Sequence, residues 1–198
     1  MRDLFRRTAV VGLLALGGAG LLAASAAGAN PHFVSASATV AAPNVTAPAN
    51  LTWDASLVVH FKVAGLGHNH GLTASLAASG TGFAQAACGV TAGRASASVS
   101  LGPDFAMNET DPCSVPDYLA DQVERSGSAT LSSDKNGNVT GTMTLPAEID
   151  VSTPPGSMAC AYVDWTGITL TVGSISVNLP DVTGKYDNSG GSLCAFPI

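Results

Sequence analysis

The chain has 198 residues, 14 acidic against 8 basic side chains, a formal net charge of −6 and 6% aromatic residues. An acidic balance of that size repels phosphate backbones and sets nucleic acid aside as a partner. The four cysteines, Cys88, Cys113, Cys160 and Cys194, are spaced 25, 47 and 34 residues apart. They lack the close Cys-x-x-Cys pairs of a zinc site and fit the disulfides of an exported protein, with three pairings open.

Residues 1–29 read as a signal peptide. Arg2, Arg6 and Arg7 give a positive start, Ala9 to Ala24 is uncharged and rich in Ala, Leu and Gly, and two small-residue cleavage options follow. Cleavage after Ala27-Gly28-Ala29 leaves Asn30 as the mature start. Arg6-Arg7 also fits the opening of a twin-arginine signal, without the fuller pattern behind it, so the export route stays open. Residues 30–198 then form one domain of 169 residues, with 5 basic and 13 acidic side chains and a charge of −8. No second apolar span follows residue 29, so the mature part is expected to be secreted or held at the extracellular surface by a partner, with no membrane span of its own.

Beyond residue 30 the dominant pattern is alternation, the period of a half-buried strand. Val34, Ala36, Ala38 and Val40 share a face, and so do Leu57, Val59, Phe61 and Val63, with His60 and Lys62 opposite. Leu72, Ala74 and Leu76 follow, then Ala95, Ala97, Val99 and Leu101, then Val139, Met143 and Leu145. Ile168, Leu170 and Val172, and finally Ile175, Val177 and Leu179, complete the series. Short strands punctuated by Gly, Pro, Asn and Asp predict an all-β fold, an antiparallel, Ig-like β-sandwich with one short helix in an acidic insertion.

The helix is predicted over Val115 to Glu124, where Ser114 caps, Asp117 completes a capping-box pattern and Pro116 is tolerated in the first turn. It lies in an acidic segment containing Asp104, Glu109, Asp111, Asp117, Asp121 and Glu124, with no basic residue before Arg125. Such a cluster is ordinarily a solvated loop, and its sharper reading is a negative patch for a cation or a basic partner. A hairpin is placed at Asp134-Lys135-Asn136-Gly137, since Asn-Gly supplies the positive φ of a tight turn. The same letters fail as a calcium loop, with Val139 where Gly is needed and Leu145 where Glu is needed.

Candidate chemistry is sparse. His68 and His70 follow Gly65-Leu66-Gly67 and make a weak metal pair, with His60 or His32 as a third ligand. The plainer reading is a polar turn, so no metal and no cofactor are expected. No Gly-x-Ser-x-Gly elbow is present. Glu109, Glu124, Glu148 and several aspartates are available to a carboxylate-based glycoside hydrolase, and nothing nominates a pair. Trp53, Trp165, Tyr118, Tyr162 and Tyr186 are the aromatics able to stack on sugars, although core and edge packing accounts for them better. Asn44, Asn50, Asn108 and Asn138 head glycosylation triplets.

Pro31-His32-Phe33-Val34, the strand Ser56 to Lys62 leading into Ala64-Gly65-Leu66-Gly67, and Asp134-Lys135-Asn136-Gly137-Asn138 resemble a family of small exported actinobacterial proteins, mostly uncharacterised. So do a strand ending near Cys88, Pro155-Gly156 beside Cys160, and the strand Asp164 to Val172. The resemblance spans residues 30–180 and implies a sandwich without implying an activity. It supplies counterparts for Cys88 and Cys160, which implies that these two are bonded and leaves Cys113 to Cys194. The acidic insertion with Cys113, and Cys194 itself, depart from the pattern. Val63-Ala64-Gly65 and the Asp134 hairpin are more loosely similar to the apoproteins of enediyne antibiotics, whose cysteines sit in two close pairs. The expectation is therefore a secreted or surface-associated, non-enzymatic binding or structural protein whose partner is an unknown protein or envelope component. A small-ligand carrier and a metal-dependent or carboxylate hydrolase are the alternatives.

Overall fold

In the computed structural model the alternation becomes fourteen strands among the described residues, which are 30–47, 50–87, 95–102, 105–111, 117–119, 123–154 and 157–188. The strands are β1 (His32–Val40), β2 (Asn44–Ala47), β3 (Asn50–Asp54), β4 (Leu57–Ala64), β5 (His70–Ala87), β6 (Ala95–Gly102) and β7 (Phe105–Asp111). They continue as β8 (Asp117–Leu119), β9 (Val123–Ser132), β10 (Val139–Leu145), β11 (Glu148–Ser152), β12 (Met158–Val172), β13 (Ile175–Asn178) and β14 (Val182–Asp187). All pairings are antiparallel.

One layer is a six-stranded sheet built on the long strands β5 and β12, with β9 and β8 along the free side of β5 and β13 and β14 along the free side of β12. The facing layer is divided into a three-stranded sheet, β1-β4-β10, and a five-stranded sheet, β2-β3-β11-β6-β7. β10 lies over β9 and β1 over β13 and β14, while β6 and β11 lie over β5. The molecule is an antiparallel β-sandwich, and its core fills the space between these layers.

Residue size sets the spacing of the layers. Trp165 on β12 is fully buried and pairs across the sheet with Gly80, where an added Cβ would lie 2.7 Å from the indole. Its Nε1 donates to the Ala55 carbonyl at 3.0 Å, which satisfies the buried polar end of the ring. Trp53 on β3 is equally buried, donates to the Ala41 carbonyl at 2.7 Å, and lies against Gly184 of β14. Both tryptophans are thus core residues, as their packing reading expects, and neither offers a face to a sugar.

β12 changes phase in the middle. Ala159, Ala161, Val163 and Trp165 point inward at odd positions, and Ile168, Leu170 and Val172 point inward at even ones. The register with β5 shifts between Thr166 and Thr169, and Gly167 adopts φ +61° there. A bulge with one extra residue is what allows a single strand to keep both sets in the core. A second irregularity corrects the reading of β1: the register shifts between Phe33 and Ser35, so Phe33 packs against the core while Val34 is 53% exposed.

The predicted helix is also corrected. Asp117–Leu119 is a strand paired with Gln85, Ala84 and Phe83 of β5, and Glu124 lies on β9; the remainder of Val115–Glu124 falls partly outside the described residues. A ten-residue helix is marginal in isolation. The unpaired edge of β5 offers backbone partners that a capping motif cannot match. The hairpin at Asp134 forms as read: Gly137 has φ +76° and donates its N–H to the Asp134 carbonyl at 3.0 Å.

Candidate functional site

The facing layer has a seam where chain passes from one small sheet to the other. β3 continues into β4 through Ala55-Ser56, and β10 into β11 through Pro146-Ala147. The two crossings are bonded to each other, since Ser56 Oγ accepts from the Ala147 N–H at 3.1 Å. The Ser56 N–H in turn donates to Asp54 Oδ1 at 3.1 Å, and the Trp165 indole holds Ala55 from below.

Beyond the seam, the outer face of the five-stranded sheet presents three polar rows fixed by register. Asp54, Glu148 and Ser100 form the first, Thr52, Asp150 and Ser98 the second, and Asn50, Ser152 and Ser96 the third. The intervening Leu51, Trp53, Val99, Ile149 and Val151 are buried on the opposite face, so the polar side chains have no other direction to take. Ser152 Oγ donates to Asn50 Oδ1 at 3.2 Å. Asp54 and Glu148 are directly opposed carboxylates, an unfavourable cross-strand pair that a hydrogen-bond donor or a cation between them relieves.

Two cavities open on this face. One of about 500 Å³ sits at the seam between Thr52, Asp54, Ser56, Ser100, Pro146 and Glu148, and another of about 410 Å³ lies over Asn50, Ser96, Ser98, Asp150 and Ser152. Beside the apolar Pro146 and Ala147 at the seam and Leu51, Ala97 and Val151 in the second cavity, the lining carries hydroxyls, carboxylates and one amide, which suit a ligand rich in hydroxyl groups.

Of the residues singled out in the sequence, Glu148 and Asn50, the latter only as the head of a glycosylation triplet, line these cavities, and the others lie elsewhere. His68 is exposed in the loop before β5, and His70 is the first residue of that strand. The loop is clamped by Ser133, whose Oγ accepts from the Asn69 N–H at 2.8 Å and donates to the Gly67 carbonyl at 2.6 Å. His60 Nδ1 is 2.9 Å from Thr142 Oγ1 on the outer face of the three-stranded sheet, and His32 Nδ1 is 2.8 Å from the Asn30 carbonyl oxygen. Among the described residues no three His, Cys, Asp or Glu side chains come together as metal ligands.

The acidic segment is not one loop. Glu109 and Asp111 lie on β7, at the edge of the five-stranded sheet, whereas Asp117 and Glu124 lie on β8 and β9 of the six-stranded sheet. Glu124 accepts a hydrogen bond from Ser79 Oγ at 2.8 Å. Asp104 and Asp121 fall outside the described residues, as do Cys88, Cys113 and Cys194. Cys160 is fully buried on β12, 3.9 Å from Gln85 Oε1, and is not a free thiol. Beside it on the same face, burial and then the Asp164 carboxylate push the Tyr162 phenol above its usual value.

With fold and site in view, the class is that of an all-β sandwich carrying a polar surface groove. No family model, no curated protein and no solved structure matches the chain.

Proposed function

We propose that the protein is a non-catalytic binding module of the exported or cell-surface compartment, and that its ligand is a polyhydroxylated chain lying along the outer face of the five-stranded sheet. The observation that carries this reading is the set of three polar rows, Asp54–Glu148–Ser100, Thr52–Asp150–Ser98 and Asn50–Ser152–Ser96, bounding two adjoining cavities. Residues two apart along a strand are roughly 6.8 Å apart, so three rows span about 14 Å, the reach of two or three sugar rings. The carboxylates accept hydrogen bonds from sugar hydroxyls, and the serine and threonine hydroxyls both donate and accept. A carrier of the enediyne type needs an apolar cleft, whereas three carboxylates, Asp54, Glu148 and Asp150, line these cavities.

The compartment rests on the character of residues 1–29 and on the cysteine usage. The test is co-sedimentation of residues 30–198 with insoluble cell-wall glycan, chitin and cellulose, beside a variant carrying Thr52→Val, Asp150→Ala and Ser98→Ala. These side chains face outward, so the variant is expected to fold and to lose at least fivefold in retention on the glycan that wild type binds. Equal retention of both proteins, or of neither, refutes the reading. Release of soluble sugar by the wild type overturns its non-catalytic part.

A further inference from the structure

The outer face of the five-stranded sheet does not end at the seam. Asp54 stands opposite Glu148 on one side of it and Leu57 opposite Leu145 on the other, three residues further along each chain. β3 with β4, and β10 with β11, therefore make one two-stranded ribbon in a single register, with no residue inserted at the crossing. Burial keeps the same phase throughout: Trp53, Ala55, Leu57 and Val59 are buried along one chain, and Leu145, Ala147 and Ile149 along the other. The side chains between them take the outer face, so the rows of the groove continue as Val58 with Thr144, His60 with Thr142 and Lys62 with Thr140.

β1 flanks the β4 side of this extension, adding Thr39, Ser37 and Ser35 to the same rows, as β6 flanks the β11 side of the groove. These hydroxyls, His60 and Lys62 are exposed. Ser56 and Pro146 stand at the crossing and both line the seam cavity, which joins the two stretches. Residues two apart along a strand are roughly 6.8 Å apart, so the ribbon from Asn50 to Lys62 measures about 40 Å, the reach of at least six sugar rings.

We propose that the binding surface crosses the seam and runs on over the outer face of the three-stranded sheet, so that the ligand is one extended, linear polysaccharide chain of at least six sugar units. The proposal rests on the polyhydroxylated-ligand reading and specifies the length and class of that ligand. The carboxylates at one end of the ribbon accept hydrogen bonds and Lys62 at the other donates them, and a chain of hydroxyls serves both ends because each hydroxyl does both. Val58 and Pro146, neighbours on the diagonal, are the only apolar side chains in outward positions of the ribbon. A patch of that size suits the C–H face of a single sugar ring and is too small to anchor the apolar side chains of a peptide.

The experiment is isothermal titration calorimetry of residues 30–198 with fractions of about three and about six sugar units prepared from cell-wall glycan, chitin and cellulose. For the polymer that wild type retains, the six-unit fraction is expected to bind at least tenfold more tightly than the three-unit fraction. That exceeds the few-fold gain given by alternative placements of a short stretch on a longer chain. A variant carrying His60→Ala, Lys62→Ala and Thr142→Ala changes only exposed side chains that line neither cavity. It is expected to bind both fractions as wild type binds the short one. Comparable binding of both fractions by wild type overturns the extension across the seam and leaves the groove reading standing, and so does a length preference that the variant keeps. Binding of neither fraction removes both readings. The wild-type comparison decides the question of length even if the variant fails to fold.

Discussion

Asp134 organises the β9–β10 turn with both carboxylate oxygens. Oδ1 accepts from the Asn136 and Asn138 backbone N–H groups, each at 2.8 Å, and Oδ2 from Asn138 Nδ2 at 3.2 Å. The bond from the Asn138 backbone holds the carboxyl below its ordinary value, helped by the remaining turn bonds and by the neighbouring Lys135 charge. A depressed folded-state value means that the charged form stabilises the turn at pH above the unfolded value, about 3.9, and that this is lost as pH falls through the folded value. Asp134→Asn retains an acceptor for the two backbone N–H groups and removes the charge. The variant is expected to melt below wild type at pH 7, with the difference shrinking at an acidic pH below the lowered folded-state value, where the wild-type carboxyl is itself protonated. Thermal melts at the two pH values check this; an equal deficit at both would show that the charge has no part. The turn was legible from Asn136-Gly137 because its chemistry is local, contained within a few residues.

β5 and β12 show why local legibility fades at the scale of elements. Alternation marks only Leu72, Ala74 and Leu76 of β5, and the resemblance a strand ending near Cys88, yet the two are one strand of 18 residues. Its later inward positions include Gly80 and Gly82, which carry no hydrophobic signal and are small because Trp165 lies over one and Val99 and Leu101 over the other. A glycine that reads as a strand end in one dimension is a packing partner in three. The helix expected over Val115–Glu124 fails for the related reason that a capping pattern cannot see the open edge of β5. In β12 the inward sets are out of phase by one residue, and the bulge at Gly167 reconciles them. Gly167→Ala is expected to remain folded and to lose about 1–2 kcal/mol, the cost of a left-handed backbone for an L-residue. Deletion of Gly167 removes the phase correction and turns Ile168, Leu170 and Val172 to the solvent face, so that variant is expected to lose cooperative unfolding altogether. Urea denaturation of the two variants beside wild type distinguishes the outcomes, and a deletion variant with a wild-type midpoint would show that the bulge does not set the register.

For the molecule as a whole, the acidic groove assembles from β3, β6 and β11, whose mutual register no sequence pattern displays. Of its side chains Glu148 was visible as one carboxylate among many and Asn50 only as the head of a glycosylation triplet, because the opposition of Asp54 and Glu148 exists only once β3 and β11 are paired. Cys160 is buried at a position that shares its face with Gln85 and Asp187, the face turned away from the core between the layers. Cys88 follows β5 three residues beyond Gln85, so in sequence it lies nearer to the β5 partner of Cys160 than Cys113 or Cys194 does. The resemblance to the exported actinobacterial family implies that Cys88 bonds Cys160, leaving Cys113 to Cys194, each bridge closing a loop of more than 70 residues. Removing either bridge is expected to cost on the order of 2–5 kcal/mol. Peptide mapping of unreduced protein tests the pairing directly, and stability provides a second reading: Cys88→Ser and Cys160→Ser should each destabilise, while the double variant should lose far less than the sum, because the bridge is already gone in either single variant. A peptide joining Cys160 to Cys113 or Cys194, or full additivity of the two substitutions, would overturn the assignment.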